Sequence, residues 1–166
     1  MIPDTLPMTT QYRKGATGAI LDEYERAIAA LKVCIGDIRD ADWSAIVDPD
    51  TADENCRSMQ TIMTHVVSSA YSYATYIGQS KGQDVERPER QFRQSAAAYA
   101  RDLDEAFAFT VAVFATIDDS ELERFEERHK IHTRWGQAYD IEQMMEHAIV
   151  HILRHRRQIE RLKPLL

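Results

Sequence analysis

With 166 residues, 44% hydrophobic and 28% charged, the chain can bury one sizeable core and is too short for two ordinary domains, so one domain over residues 1–166 is predicted. No apolar run approaches the roughly 18 residues of a membrane span, and Met1 to Met8 lack the charged and apolar stretches of a signal peptide, so a soluble, cytoplasmic chain with no membrane partner is expected. A net charge of −7 weighs against nucleic-acid binding, whose affinity for phosphate backbones comes from clustered Lys and Arg.

Residues 1–14, with two prolines and little periodicity, predict an N-terminal arm. From Gly15 the chain becomes regular: Ile20, Tyr24, Ala27, Leu31, Cys34 and Ile38 recur at spacings of three and four, the seam of a helix, which makes Cys34 a core candidate. Residues 39–57 break the period and predict a long connection, with Trp43 covering one end of the core. Ser58 is an N-cap candidate for a second helix whose stripe, Met59, Ile62, Val66, Ser69, Tyr73 and Tyr76, runs to Gly78. A third helix is predicted from Pro88, a residue suited to a first turn, with Phe92, Ala96, Tyr99, Leu103, Ala106, Thr110 and Val113 along its seam. Residues 117–138 hold no sustained helical period and read as a loop with a short helical or extended piece. Asp140 then caps a fourth helix running to Leu162, with seam residues Ile141, Met145, Ala148, Ile152, His155, Ile159 and Leu162. Its basic knot, Arg154 to Arg157, reads as structural charge toward the carbonyl end of the helix. Cys34 and Cys56 are the only cysteines and form no CxxC motif, which fits a reducing compartment. Four amphipathic helices make an all-α four-helix bundle the predicted fold, and no phosphate loop, nucleophile elbow or dinucleotide fingerprint competes with it.

Within the fourth helix His147, His151 and His155 stand at four-residue spacing. Residues four apart lie one turn above another on the same helix face, so two such imidazoles can reach one point in space. A zinc-like ion wants at least three protein ligands, and a catalytic one keeps a further position open. Another helix must therefore contribute, and His65, at the edge of the second helix's apolar stripe, is the candidate. Spacing alone does not choose between the pairs 147/151 and 151/155. Gln143 and Gln158 extend the polar stripe, either as amides that steady a ligand or as exposed groups. His129 and His132 fall in the loop and read as solvated. A carboxylate base is not legible: HExxH is absent, Glu146 lies around the helix from His151, and Glu142 stacks with Glu146. Hydrolysis would then rely on metal-bound water as the nucleophile, or on a base from elsewhere such as a loop residue. Tyr73 and Tyr76 read as core aromatics or as pocket walls.

The segment His147-x3-His151-x3-His155-Arg156-Arg157-Gln158-Ile159 resembles the C-terminal pattern His-x3-His-x3-His-Arg-Gly-Gln-Ile of the DinB/YfiT-like superfamily of bacterial four-helix bundle proteins. The stretch Ile62 to Tyr73, with His65 after an apolar start and aromatics beyond, is similar to that family's second-helix signature. The resemblance implies a bundle with long crossover connections and a divalent ion, nickel or zinc, held by His65, His151 and His155, with His147 beside the ligands rather than among them. It further implies a metal-dependent hydrolase or a thiol S-transferase acting on a small-molecule substrate, with a low-molecular-weight thiol as a candidate partner, and a homodimer. The family's glycine is Arg157 here, which removes the close packing a glycine would allow. The alternative is a non-catalytic dimeric bundle with structural histidines, serving a stress-response or partner-binding role.

Overall fold

The computed structural model describes residues 11–166. Most of the N-terminal arm expected over residues 1–14 lies outside them, and residues 11–14 approach the first helix as non-helical chain. The all-α expectation holds: the described residues form four long helices, α1 (Gly15–Ile35), α2 (Met59–Ser80), α3 (Ala96–Phe114) and α4 (Ile141–Leu162), and one small ribbon, β1 (Ile131–His132) against β2 (Ala138–Tyr139). Helix α2 packs most extensively on α3 and α1 on α4, with further contacts between α2 and α4 and between α1 and α3. The core between them includes Leu31, Ile35, Met63, Ile77, Leu103 and Met144, all without solvent exposure. No described helix is long and apolar enough to cross a membrane.

Local chemistry sets the helix starts. Ser58 accepts from Thr61 N, and the Thr61 hydroxyl accepts from Ser58 N, so two otherwise orphaned donors are satisfied reciprocally at the start of α2. Asp140 and Gln143 form the same box at α4. The α1 start is capped from far along the chain: Asp119 accepts from Ala16 N and Thr17 N, each at 2.9 Å, and from the Thr17 hydroxyl.

The third helix starts later than its sequence suggests. Helix α3 begins at Ala96 under a Ser95 cap, and residues 83–94 form no helix. Side chains of α2 and α3 capture this segment: the Gln60 amide donates to Arg93 O, Thr64 Oγ1 to Gln91 O, and Arg93 N to Tyr99 Oη. Backbone groups that a helix would have used are thereby engaged by neighbouring elements, so Pro88 opens no helix and Phe92 is exposed rather than in the seam.

In the connection 39–57, two single turns of 3-10 helix, Asp40–Asp42 and Glu54–Cys56, flank a stretch that is pinned to α2. Trp43 is fully buried and packs on Tyr99 with ring centroids 4.9 Å apart, while its carbonyl accepts from Gln60 N. Cys34 is only partly buried against the core. Between α3 and α4, β1 and β2 pair antiparallel, Ile131 opposite Tyr139 and His132 opposite Ala138. Their loop is closed by the Thr133 hydroxyl, which donates to Gln137 O, and turns at Gly136 with φ of +89°. The hairpin carries Trp135 onto the helices.

Candidate metal centre

Helices α2 and α4 face one another where His65 meets His151 and His155. His65 Nε2 lies 3.0 Å from His151 Nε2, and His155 Nε2 lies 3.2 Å from that same atom. One nitrogen from each ring falls within 4.8 Å of the others, a grouping that could hold a metal ion. His155 is buried on the α4 seam, and His65 and His151 are partly buried beside it. The structure thus brings together the three residues singled out in the sequence, and separates His147 from them.

Proton counting within this trio favours a cation. His155 Nδ1 lies 2.8 Å from Gln158 Oε1; an amide oxygen only accepts, so Nδ1 carries the proton and His155 Nε2 presents a lone pair. His151 Nε2 touches two neighbouring Nε2 atoms. If it carries a proton, that proton must be shared between both contacts; if it does not, its lone pair faces that of His155. Either way, one short nitrogen–nitrogen contact lacks a hydrogen of its own. A cation accepting all three lone pairs removes the conflict, and Gln158 already holds His155 in the required tautomer. Among the described residues His151 Nδ1 is buried without a partner in either tautomer.

Electrostatics act in the same direction. Burial, then the neighbouring His155 and Arg90, push His65 down to about 4, against the opposing pull of Asp53. Burial also drives His151 down to about 2, helped by His155 and His65, and lowers His155. All three are therefore neutral at pH 7, the form that ligates metals. A stability prediction follows for the metal-free protein. Between about pH 6.5 and pH 4 the unfolded chain takes up protons on these residues and the folded chain resists. Stability should be level above pH 6.5 and fall with decreasing pH, by at most about 1.4 kcal/mol per pH unit for each linked histidine. Urea denaturation at stepped pH reads this directly. A curve flat from pH 7 to 5 would mean that the imidazoles are not desolvated.

His147 belongs to a neighbouring aromatic wall. It stacks on Trp135 with centroids 5.7 Å apart and 25° between planes, and its Nδ1 lies 3.2 Å from the Tyr139 hydroxyl. Tyr73 is buried and sets its ring edge-on to both His147 and His151, at 5.4 and 5.7 Å. Tyr76 meets Trp135 instead, and its hydroxyl accepts from Arg134 N. These aromatics cover one side of the cluster. His129 and His132 are exposed, and Gln143 serves the α4 cap rather than the histidines.

The opposite side opens. A cavity of about 660 Å³ is lined by His65, His151 and His155 together with residues that were not singled out for it in the sequence. Asp53 and Cys56 come from the connection 39–57, whose aperiodic stretch gives no hint of where its side chains point. Asp53 accepts from Asn55 N and Nδ2, both at 2.9 Å, and the Cys56 thiol donates to it at 3.6 Å. Those Asn55 bonds hold the Asp53 carboxyl below its usual range, so it is a fixed negative charge rather than a ready proton acceptor. Burial raises the Cys56 thiol and keeps it protonated near neutral pH. From α4 come Arg154, Arg157 and Arg161, whose spacing of three and four places them on one stripe. That stripe is readable in the sequence, although the cavity beside it is not. Arg157, where the resemblance would put glycine, is exposed on this wall. A scan against protein-family models and a comparison with curated proteins give no match.

Proposed function

We propose that the chain is a metal-dependent enzyme with a DinB/YfiT-like four-helix bundle fold, in which His65, His151 and His155 hold a divalent ion. The observation that supports this best is the convergence of three neutral imidazole nitrogens, from two helices, at the wall of an open cavity. Three histidines with room for a further ligand are the donor set of catalytic rather than closed structural zinc sites, and imidazole suits nickel equally. When bound, such an ion supplies Lewis acidity, lowering the pKa of a water or thiol that it coordinates. The chain's own groups do the rest. Gln158 orients His155, Tyr73 and His147 keep bulk water from one flank, and the cavity admits substrate from the other. Among the described residues no carboxylate lining the cavity is poised to take up a proton, so the chemistry suggested is either hydrolysis by a metal-activated water or transfer to a low-molecular-weight thiol.

Metal analysis of tag-free protein tests the proposal. About one zinc or nickel per chain is expected, removable by chelator, with a thermal midpoint that rises with added metal as mass action requires. Protein that stays metal-free in zinc-supplemented medium, with a midpoint insensitive to zinc, nickel and chelator, would leave the histidines structural.

A further inference from the structure

We propose that the cavity beside the histidines is an anion site, in which Arg154, Arg157 and Arg161 hold a carboxylate or phosphate of a small organic molecule whose other end reaches the histidine cluster. The inference rests on the metal-centre reading for that second contact only.

The three guanidiniums are distinguished by where they stand: Arg57, Arg101 and Arg134 also lack a carboxylate partner and a side-chain hydrogen bond among the described residues, but only Arg154, Arg157 and Arg161 line one cavity together. Arg13, Arg26, Arg39, Arg93, Arg128 and Arg156 each pair with a carboxylate. Among the described residues Arg154, Arg157 and Arg161 pair with none and make no hydrogen bond, in a chain whose 27 acidic residues outnumber its 20 basic ones. They nevertheless share one cavity wall. The one carboxylate among the described residues that lines that cavity, Asp53, is already occupied by Asn55 and Cys56.

The helix dipole does not account for Arg154 and Arg157. Its influence fades within the last turn. Arg161 stands in that turn of α4, whereas Arg154 and Arg157 lie one to two turns upstream. Guanidinium is the side chain suited to planar, two-point recognition of carboxylate and phosphate. A volume of about 660 Å³ matches a small-molecule site. The ligand so described is a small organic anion, gripped at one end by arginines and presenting its reactive end to the histidines.

Calorimetric titration of tag-free protein, metal-free and zinc-loaded, tests this with succinate, glycerol 3-phosphate, mercaptosuccinate and the neutral thiol 2-mercaptoethanol. Metal-free protein is expected to bind succinate or glycerol 3-phosphate, the stronger naming the preferred oxyanion. Affinity should fall about tenfold in the Arg154→Gln, Arg157→Gln, Arg161→Gln triple variant, and by a smaller factor in Arg157→Gln alone. It should also weaken toward about 1 M salt, where screening is nearly complete. Zinc-loaded protein should bind mercaptosuccinate roughly tenfold more tightly than 2-mercaptoethanol, and lose that preference in the triple variant. Zinc retention without anion binding, or with anion binding unchanged in the triple variant, overturns the anion site and leaves the metal centre standing. Failure to retain zinc with arginine-dependent anion binding intact does the reverse.

Discussion

Replacing His151 with alanine is expected to leave the protein folded and unable to retain a divalent ion. His151 Nε2 is the atom that both other imidazoles contact, so its loss removes the centre of the trio as well as one ligand. Groups that merely orient a ligand are worth about 10–100-fold in metal affinity, and a ligand is worth at least as much. His151→Ala should therefore weaken zinc binding by more than about a hundredfold, whereas Gln158→Ala, which frees the His155 ring, should fall within that 10–100-fold range. His147→Ala, acting only on the aromatic wall, should retain the ion. The fold should survive, because His151 is partly buried with an unpartnered nitrogen, and removing such a group relieves a desolvation cost. Competition titration with a chromophoric chelator separates the three variants. Equal affinity in His151→Ala and His147→Ala would show that the ion, if bound, sits elsewhere.

Trp43→Ala is expected to be the most damaging single change to stability. The indole is fully buried against Tyr99, and truncations of this kind cost about 3–5 kcal/mol. That is a large part of the roughly 5–15 kcal/mol that holds a typical domain together. For a chain of this size it corresponds to a melting-temperature drop of roughly 6–20 °C. Trp43→Phe should be much milder, because Trp43 Nε1 has no hydrogen-bond partner among the described residues to lose. Matching losses in the two variants would mean that the indole's extra ring, rather than the aromatic contact with Tyr99, carries the packing. Chemical denaturation of both distinguishes these cases.

Where regular chemistry repeats, the chain could be read well. Asp140 to Leu162 shows its cap, its seam and its stop in sequence, and α4 follows them. Helix spacing places His151 beside either His147 or His155, the family-like motif points to His155 with His65, and those three rings do meet. Residues 88–95 carry a helical signal in sequence because Phe92 falls in phase with the α3 seam, while the bonds that hold the segment out of helix come from α2 and Tyr99. Periodicity carries no information about such tertiary capture. Asp53 and Cys56 were invisible for the same reason: a connection without a repeat has no face until something packs on it. The basic knot Arg154 to Arg157 reads in sequence as charge near a helix end, Arg161 stands outside it, and the use of the three arginines is visible only with the cavity beside them.

The cap on α1 bears on the order in which the chain folds. Asp119, which closes the first turn of α1, lies 103 residues beyond Ala16. A substituent on Gly15, whose φ is +78°, would come within 2.4 Å of that carboxylate, so the acid sits in a notch that only glycine leaves open. The first turn of α1 is thus completed by a contact of high sequence separation, which loop-closure entropy makes slow to form. Amides at the start of α1 and in the stretch around Asp119 should lose hydrogen-exchange protection together, at a lower free energy than the centres of α2 and α4, making the two ends of that contact one cooperative unit.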